Sequence, residues 1–94
     1  MAKSADKPLP YDKQAELGVL GSVVLMPSLI DDLESFLAPG DFLIDGHGII
    51  YRHMLKIYRE CGRFDPVLLA DSLRASHEYE LAGGHAYLGE VVRA

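Results

Sequence analysis

Residues 46–61 carry two stripes of opposite character. At about 100° per residue, Ile50, Met54, Ile57 and Cys61 fall along one side of a helical cylinder. Arg52, Lys56, Arg59 and Arg63 fall along the opposite side. The spacing predicts an amphipathic helix over about 46–61, whose apolar side other elements must cover. Gly62 follows as a natural C′ residue. Asp65-Pro66 then restarts the chain as N-cap and N1, where the missing proline N–H matters least.

The rest of the chain is punctuated in the same way. Residues 1–10 (MAKSADKPLP) are polar, hold two prolines and read as a disordered arm, leaving residues 11–94 as one helical head. Asp12 is a plausible N-cap for a first helix over about 12–26, with Ala15, Val19, Leu20, Val23 and Val24 at helical spacing. Gly18 and Gly21 lie inside it, each costing roughly 1 kcal/mol of helix propensity relative to Ala. Close approach of another backbone is the expected compensation. Pro27 ends this helix, and Ser28 is expected to cap a second one with the stripe Leu29, Leu33, Phe36 and Leu37. Ala38-Pro39-Gly40 stops that helix, and Phe42, Leu43 and Ile44 are apolar anchors in the loop that follows. After residue 65, Leu69, Ala70 and Leu73 mark a helix to about 76. A short turn around 78–82 closes at Gly83-Gly84, and a last helix starts near His85 with Tyr87, Leu88, Val91 and Val92 apolar. Its stripe still runs at Ala94, which predicts a continuation in a longer protein.

Leu (14) outnumbers Val and Ile together (11), and nine Ala add to the helical bias. With 94 residues, 49% of them hydrophobic, the expectation is a single all-α domain, a compact bundle of about five or six short helices. One cysteine excludes an intramolecular disulfide framework and fits a reducing, cytoplasmic compartment. No apolar run approaches the ~18–20 residues that span a bilayer, so no membrane partner is expected.

Chemistry is sparse. There is no G-x-x-x-x-G-K-[ST] loop, so nucleotide binding by this segment is not expected. The histidines His47, His53, His77 and His85 include no i, i+4 pair, and His77-Glu78 lacks the second histidine of a zinc helix because Leu81 stands there. No catalytic residue, cofactor or metal site is assigned. Cys61, on the apolar stripe, reads as a buried, inert thiol. Asp31/Asp32 and Glu78/Glu80 read as helix-start or solvated charges. Arg52, Lys56, Arg59 and Arg63 form the candidate contact surface, to be weighed against a face that simply meets water. With a net charge of −5, an acidic protein partner fits it better than DNA phosphates.

Taken in order, the motifs resemble the N-terminal domain of the DnaB-type bacterial replicative DNA helicase. The resemblance is carried by Pro10, Ala15-Glu16, Val19-Leu20-Gly21, Asp41-Phe42, His47 and Ile49-Ile50-Tyr51. It continues through Gly62, Asp65, Val67-Leu68-Leu69 and Leu73, and closes on Gly83-Gly84 with Ala86-Tyr87-Leu88, covering about residues 8–93. Leu17-Gly18 replaces a more polar pair, and Gly48 stands where the family has a basic residue.

The resemblance implies a small all-α head in the collar of a hexameric ring, ahead of a RecA-like motor. That collar supports hexamer assembly, with dimers of collar domains, and contacts the DnaG-type primase and helicase loader proteins. ATP and Mg belong to the motor, which is absent here, and DNA is reached only through the full-length ring. A helical hairpin that builds dimers would begin about where this chain stops. Two alternatives remain at this point: the helicase-binding domain of a bacterial primase, and a stand-alone small helical enzyme or metal protein.

Overall fold

A computed structural model describes residues 13–63 and 65–93. The arm at 1–10, the Asp12 cap and Ala94 lie outside the described residues. Among the described residues five α-helices follow one another: α1 (Lys13–Leu25), α2 (Ile30–Leu33), α3 (Asp45–Cys61), α4 (Pro66–Ala75) and α5 (Gly84–Arg93). Two 3-10 turns, Pro27–Leu29 and Pro39–Asp41, complete the secondary structure of the described residues, with no strand among them.

Helix α3 is the axis of the bundle. It buries Ile50, Tyr51, Met54, Leu55 and Ile57, and with them two histidines, His47 and His53. Leu69 and Leu73 of α4, Leu17, Leu20 and Val23 of α1, and Leu88 and Val91 of α5 join that core, together with Ile30, Phe42 and Ala82. The helix stops as its sequence requires. Gly62 takes φ +75° and returns its N–H to the Tyr58 carbonyl at 2.7 Å, a left-handed step that a side chain would strain. Asp65 then caps α4, its Oδ1 accepting from the Leu68 N–H at 2.9 Å, with Pro66 at the first helical position.

Several expectations are corrected. Cys61 is exposed. It lies on the same side of the helix as Met54 and Ile57, but residues 59–63 are all exposed, so the last turn of α3 runs past the elements that cover that side. Arg63 lies beyond the Gly62 break and so no longer continues the helical row of cations. On α1 the buried face is Leu17, Leu20, Gly21 and Val23, while Ala15 is exposed.

The second helix is a single turn preceded by a 3-10 turn. Pro27 begins that turn one residue before Ser28, so Ser28 sits inside it and caps nothing. Polar bonds to α3 then pin the chain down. The Tyr58 hydroxyl donates to Asp31 at 3.1 Å, Arg59 donates twice to Glu34 Oε1, and Tyr51 donates to the Leu37 carbonyl at 2.9 Å. Held this way, the segment buries Ile30 and leaves Phe36 71% exposed. Of the three loop anchors only Phe42 is buried, and Leu43 is exposed.

The glycines divide sharply. A Cβ at Gly18 would meet nothing within 4 Å, so no backbone approach compensates that residue. A Cβ at Gly48 would lie 2.6 Å from the Pro39 carbonyl oxygen, which excludes the larger side chain of the family pattern. Gly18→Ala is therefore expected to stabilise the fold by roughly 0.5–1 kcal/mol. Gly48→Ala should destabilise it by about 1–3 kcal/mol through overpacking. Thermal unfolding of both variants checks this, and a Tm that moves the same way in each contradicts the assignment.

Candidate interaction surfaces

Two buried histidines organise the polar interior. His47 is fully buried at the start of α3. Its Nδ1 lies 2.7 Å from Glu16 Oε1 of α1, and its Nε2 meets the Tyr87 hydroxyl of α5. Glu16 Oε2 also accepts from the Leu43 N–H at 2.7 Å, placing a carboxylate at the positive end of the α3 dipole. Because the Glu16 carboxylate accepts, Nδ1 carries a hydrogen, and Nε2 pairs with the Tyr87 hydroxyl. Burial, with Glu90 and Glu16 nearby, raises the Tyr87 phenol above its ordinary value and keeps that hydroxyl protonated.

His53, six residues further along α3, joins that helix to α4 and the turn after it. Its Nδ1 lies 2.7 Å from Ser72 Oγ and its Nε2 2.7 Å from Glu78 Oε1. Glu78 also accepts from Ser76 at 2.9 Å and from Arg52. The hydrogen bond from His53, then those from Arg52 and Ser76, lower the Glu78 carboxyl from 4.5 to about 2. Serine, histidine and glutamate in a row have the order of an acyl-transfer relay, but here the imidazole is sealed in the core. Neither the groove between α4 and α5 nor the one beside Pro39 and Gly48 is lined by Ser72 or His53. The arrangement is a structural clamp. Among the described residues no three His, Cys, Asp or Glu side chains are grouped to hold a metal ion.

The candidate cations lie outside this core. Arg52 is bound to Glu78, Arg59 to Glu34 at 2.6 Å, and Arg63 is 3.7 Å from Asp65. Lys56 is exposed between them and makes no ion pair among the described residues. The row of cations is legible in the sequence, but the acids that other elements bring to it are not. The bonding roles of Glu16, His53 and Glu78 are likewise absent from the sequence expectations. One signal was available: His47 and His53 flank the apolar arc of Ile50, Met54 and Ile57, one on each side, which places them near the buried face. Their partners are 19 to 40 residues away along the chain and left no local sign.

Residues 8–94 match the family model described as the DnaB-like helicase N terminal domain. The chain belongs to that family. It is 32% identical over 82 residues to the replicative DNA helicase DnaB of Pasteurella multocida, covering 87% of this chain and 18% of that protein. It is 34% identical over 85 residues to the replicative DNA helicase DnaB of Geobacillus stearothermophilus, covering 90% and 19%. The replicative DNA helicase DnaC of Bacillus subtilis is 30% identical over 89 residues, 95% of this chain and 20% of that protein. The chain thus spans 18–20% of the length of these relatives. Glu16, His47 and Tyr87, which meet in the core, are three of the residues through which the sequence resembles this family. No helix among the described residues is long and apolar enough to cross a membrane.

The lowered Glu78 carboxyl fixes a pH signature. A carboxyl whose folded value is depressed stabilises the fold above its ordinary value and ceases to as pH falls through the folded one. The stability gap between the parent protein and Glu78→Gln is therefore expected to be widest above pH 4.5 and to close towards about pH 2. Denaturant midpoints across that range measure it, and a gap that does not change with pH removes Glu78 from the clamp.

Proposed function

We propose that this domain is a non-catalytic collar component of a hexameric replicative DNA helicase, which supports ring assembly and docks primase or a helicase loader. The carrying observation is the family match over nearly the whole chain, to proteins whose names are those of replicative helicases. It favours the helicase side of the partnership over a primase domain. The division of the molecule supports the same reading. His47 and His53 with their partners Glu16, Tyr87, Ser72 and Glu78 tie the helices together, whereas Phe36, Val67 and Leu81 are each more than half exposed. Apolar side chains at a surface are what a reversible assembly domain has to offer a neighbour.

The row Arg52, Lys56, Arg59 and Arg63 is the proposed charged part of the contact. Exposed ion pairs of the Arg59–Glu34 kind are worth about 0–1 kcal/mol. Exchanging Glu34 or Asp65 for a partner's carboxylate is therefore cheap, and it suits contacts that form and dissolve. ATP and Mg would act in the motor of the parent protein, and DNA would be met through the complete ring.

Titration of this domain, alone and within the parent protein, against the C-terminal domain of its cognate primase tests the reading. Saturable binding is expected, weakened several-fold by Arg59→Glu with Arg63→Glu. Sedimentation of the parent protein should give a hexamer. A parent that does not form a ring, or a domain that ignores both primase and loader, rejects the proposal.

A further inference from the structure

Helices α4 and α5 leave a groove of about 380 Å³ between them. Its floor is made by Val67 and Ala70 of α4 and by Leu88 and Val92 of α5. Val67 is 68% exposed and Val92 41%, so the floor is open to solvent although Leu88 is buried. Gly89 keeps it low. A Cβ there would come within 3.2 Å of the Arg93 guanidinium, which lies along the helix at the groove edge.

The rim is charged unevenly. Arg74 and Arg93 stand on it against the single carboxylate Asp71, with His85 beside them. Arg74 is held over the Tyr79 ring at 4.3 Å from the centroid, and its pairing with Asp71 is loose at 3.8 Å. On a chain of net charge −5, this apolar strip is thus edged mainly by cations. Two ten-residue helices, each about 15 Å long, frame a slot for two to three turns of a third.

We propose that the α4/α5 groove is a docking site for an amphipathic partner helix that carries acidic residues beside its apolar face. The apolar strip would take side chains at i, i+3, i+4 and i+7, and the rim arginines would pair with the flanking carboxylates. The same charges argue against a second copy of this chain as the occupant. Two copies face to face would bring arginine-bearing rims together, on molecules that both carry net negative charge. The proposal rests on the reading of the domain as an interaction module and specifies a surface on the opposite side of α4 from the His53 clamp.

The probe is a set of three synthetic peptides of about fifteen residues sharing leucines at i, i+3, i+4 and i+7, flanked by Glu, Gln or Lys. NMR shifts of Val67, Leu88 and Val92 methyls locate binding, and fluorescence anisotropy ranks affinity. The Glu peptide is expected to bind at least about tenfold tighter than the Lys peptide, with the advantage shrinking as salt rises. Val67→Glu, at an exposed position, should abolish binding without unfolding the domain. Arg74→Glu with Arg93→Glu should invert the ranking. Failure of all three peptides to bind, a ranking indifferent to charge, or self-association that Val67→Glu dissolves overturns the groove proposal. Primase titration of the same samples separates the outcomes: retained primase binding with no peptide binding rejects this groove alone, and the reverse rejects the primase role alone.

Discussion

A fully buried imidazole can be afforded only if both its nitrogens are satisfied, and much of this bundle follows from how His47 meets that condition. An unpaired polar group in such a position costs about 1–3 kcal/mol. His47 avoids it by drawing Glu16 from α1 and Tyr87 from α5 onto the first turn of α3. Glu16 in turn accepts backbone N–H groups from Leu43 and Ile44, fixing the approach of the loop to α3. Three helices and one loop are thereby set in register by a single ring. Apolar packing alone specifies burial, whereas the directional bonds of His47 specify which faces meet. Gly48 continues the same constraint: with the loop held at that point, the Pro39 carbonyl presses so close that only hydrogen fits.

His53 repeats the device on the other side of α3. Ser72 holds one nitrogen and Glu78 the other, so α4 and the turn after it are tied to the axis. The two clamps point to different neighbours, and α3 is therefore bonded to both halves of the bundle. Among the described residues no buried side-chain nitrogen or oxygen lacks a partner. Both buried imidazoles are thus held by partners from other elements.

The sequence was most informative where structure is local. The limits of α3, the Gly62 stop and the Asp65-Pro66 start depend on residues within a few positions of one another, and all three were readable from periodicity and capping chemistry. Identity of the fold was readable too, because the order of short motifs is itself long-range information. What escaped was whatever depends on where a neighbour ends. Cys61 has the right azimuth for burial, but no described element covers its side of the last turn. Phe36 has helical spacing, but Tyr51, Tyr58 and Arg59 seize its segment by polar groups and turn it outward. Gly18 and Gly48 look alike in sequence, yet one faces open space and the other a carbonyl 2.6 Å from a would-be Cβ. The cations Arg52 and Arg59 read as a bare row because their acids, Glu78 and Glu34, lie 26 and 25 residues away.

A domain bound together in this way can leave its exterior to other demands. Its internal register does not depend on exposed side chains such as Val67 and Leu81, so those positions can serve neighbours without loosening the bundle. The two outer faces then differ in kind. On the α3 face, Arg52 and Arg59 are already matched by carboxylates of the same domain, so a partner there has to displace acids and gains little from charge. Along α4 and α5, two arginines face one carboxylate beside an apolar strip, and an incoming acid finds cations it need not compete strongly for. Affinity should therefore concentrate at the groove, where burial and unbalanced charge coincide, and the α3 row should act mainly on the rate and orientation of encounter.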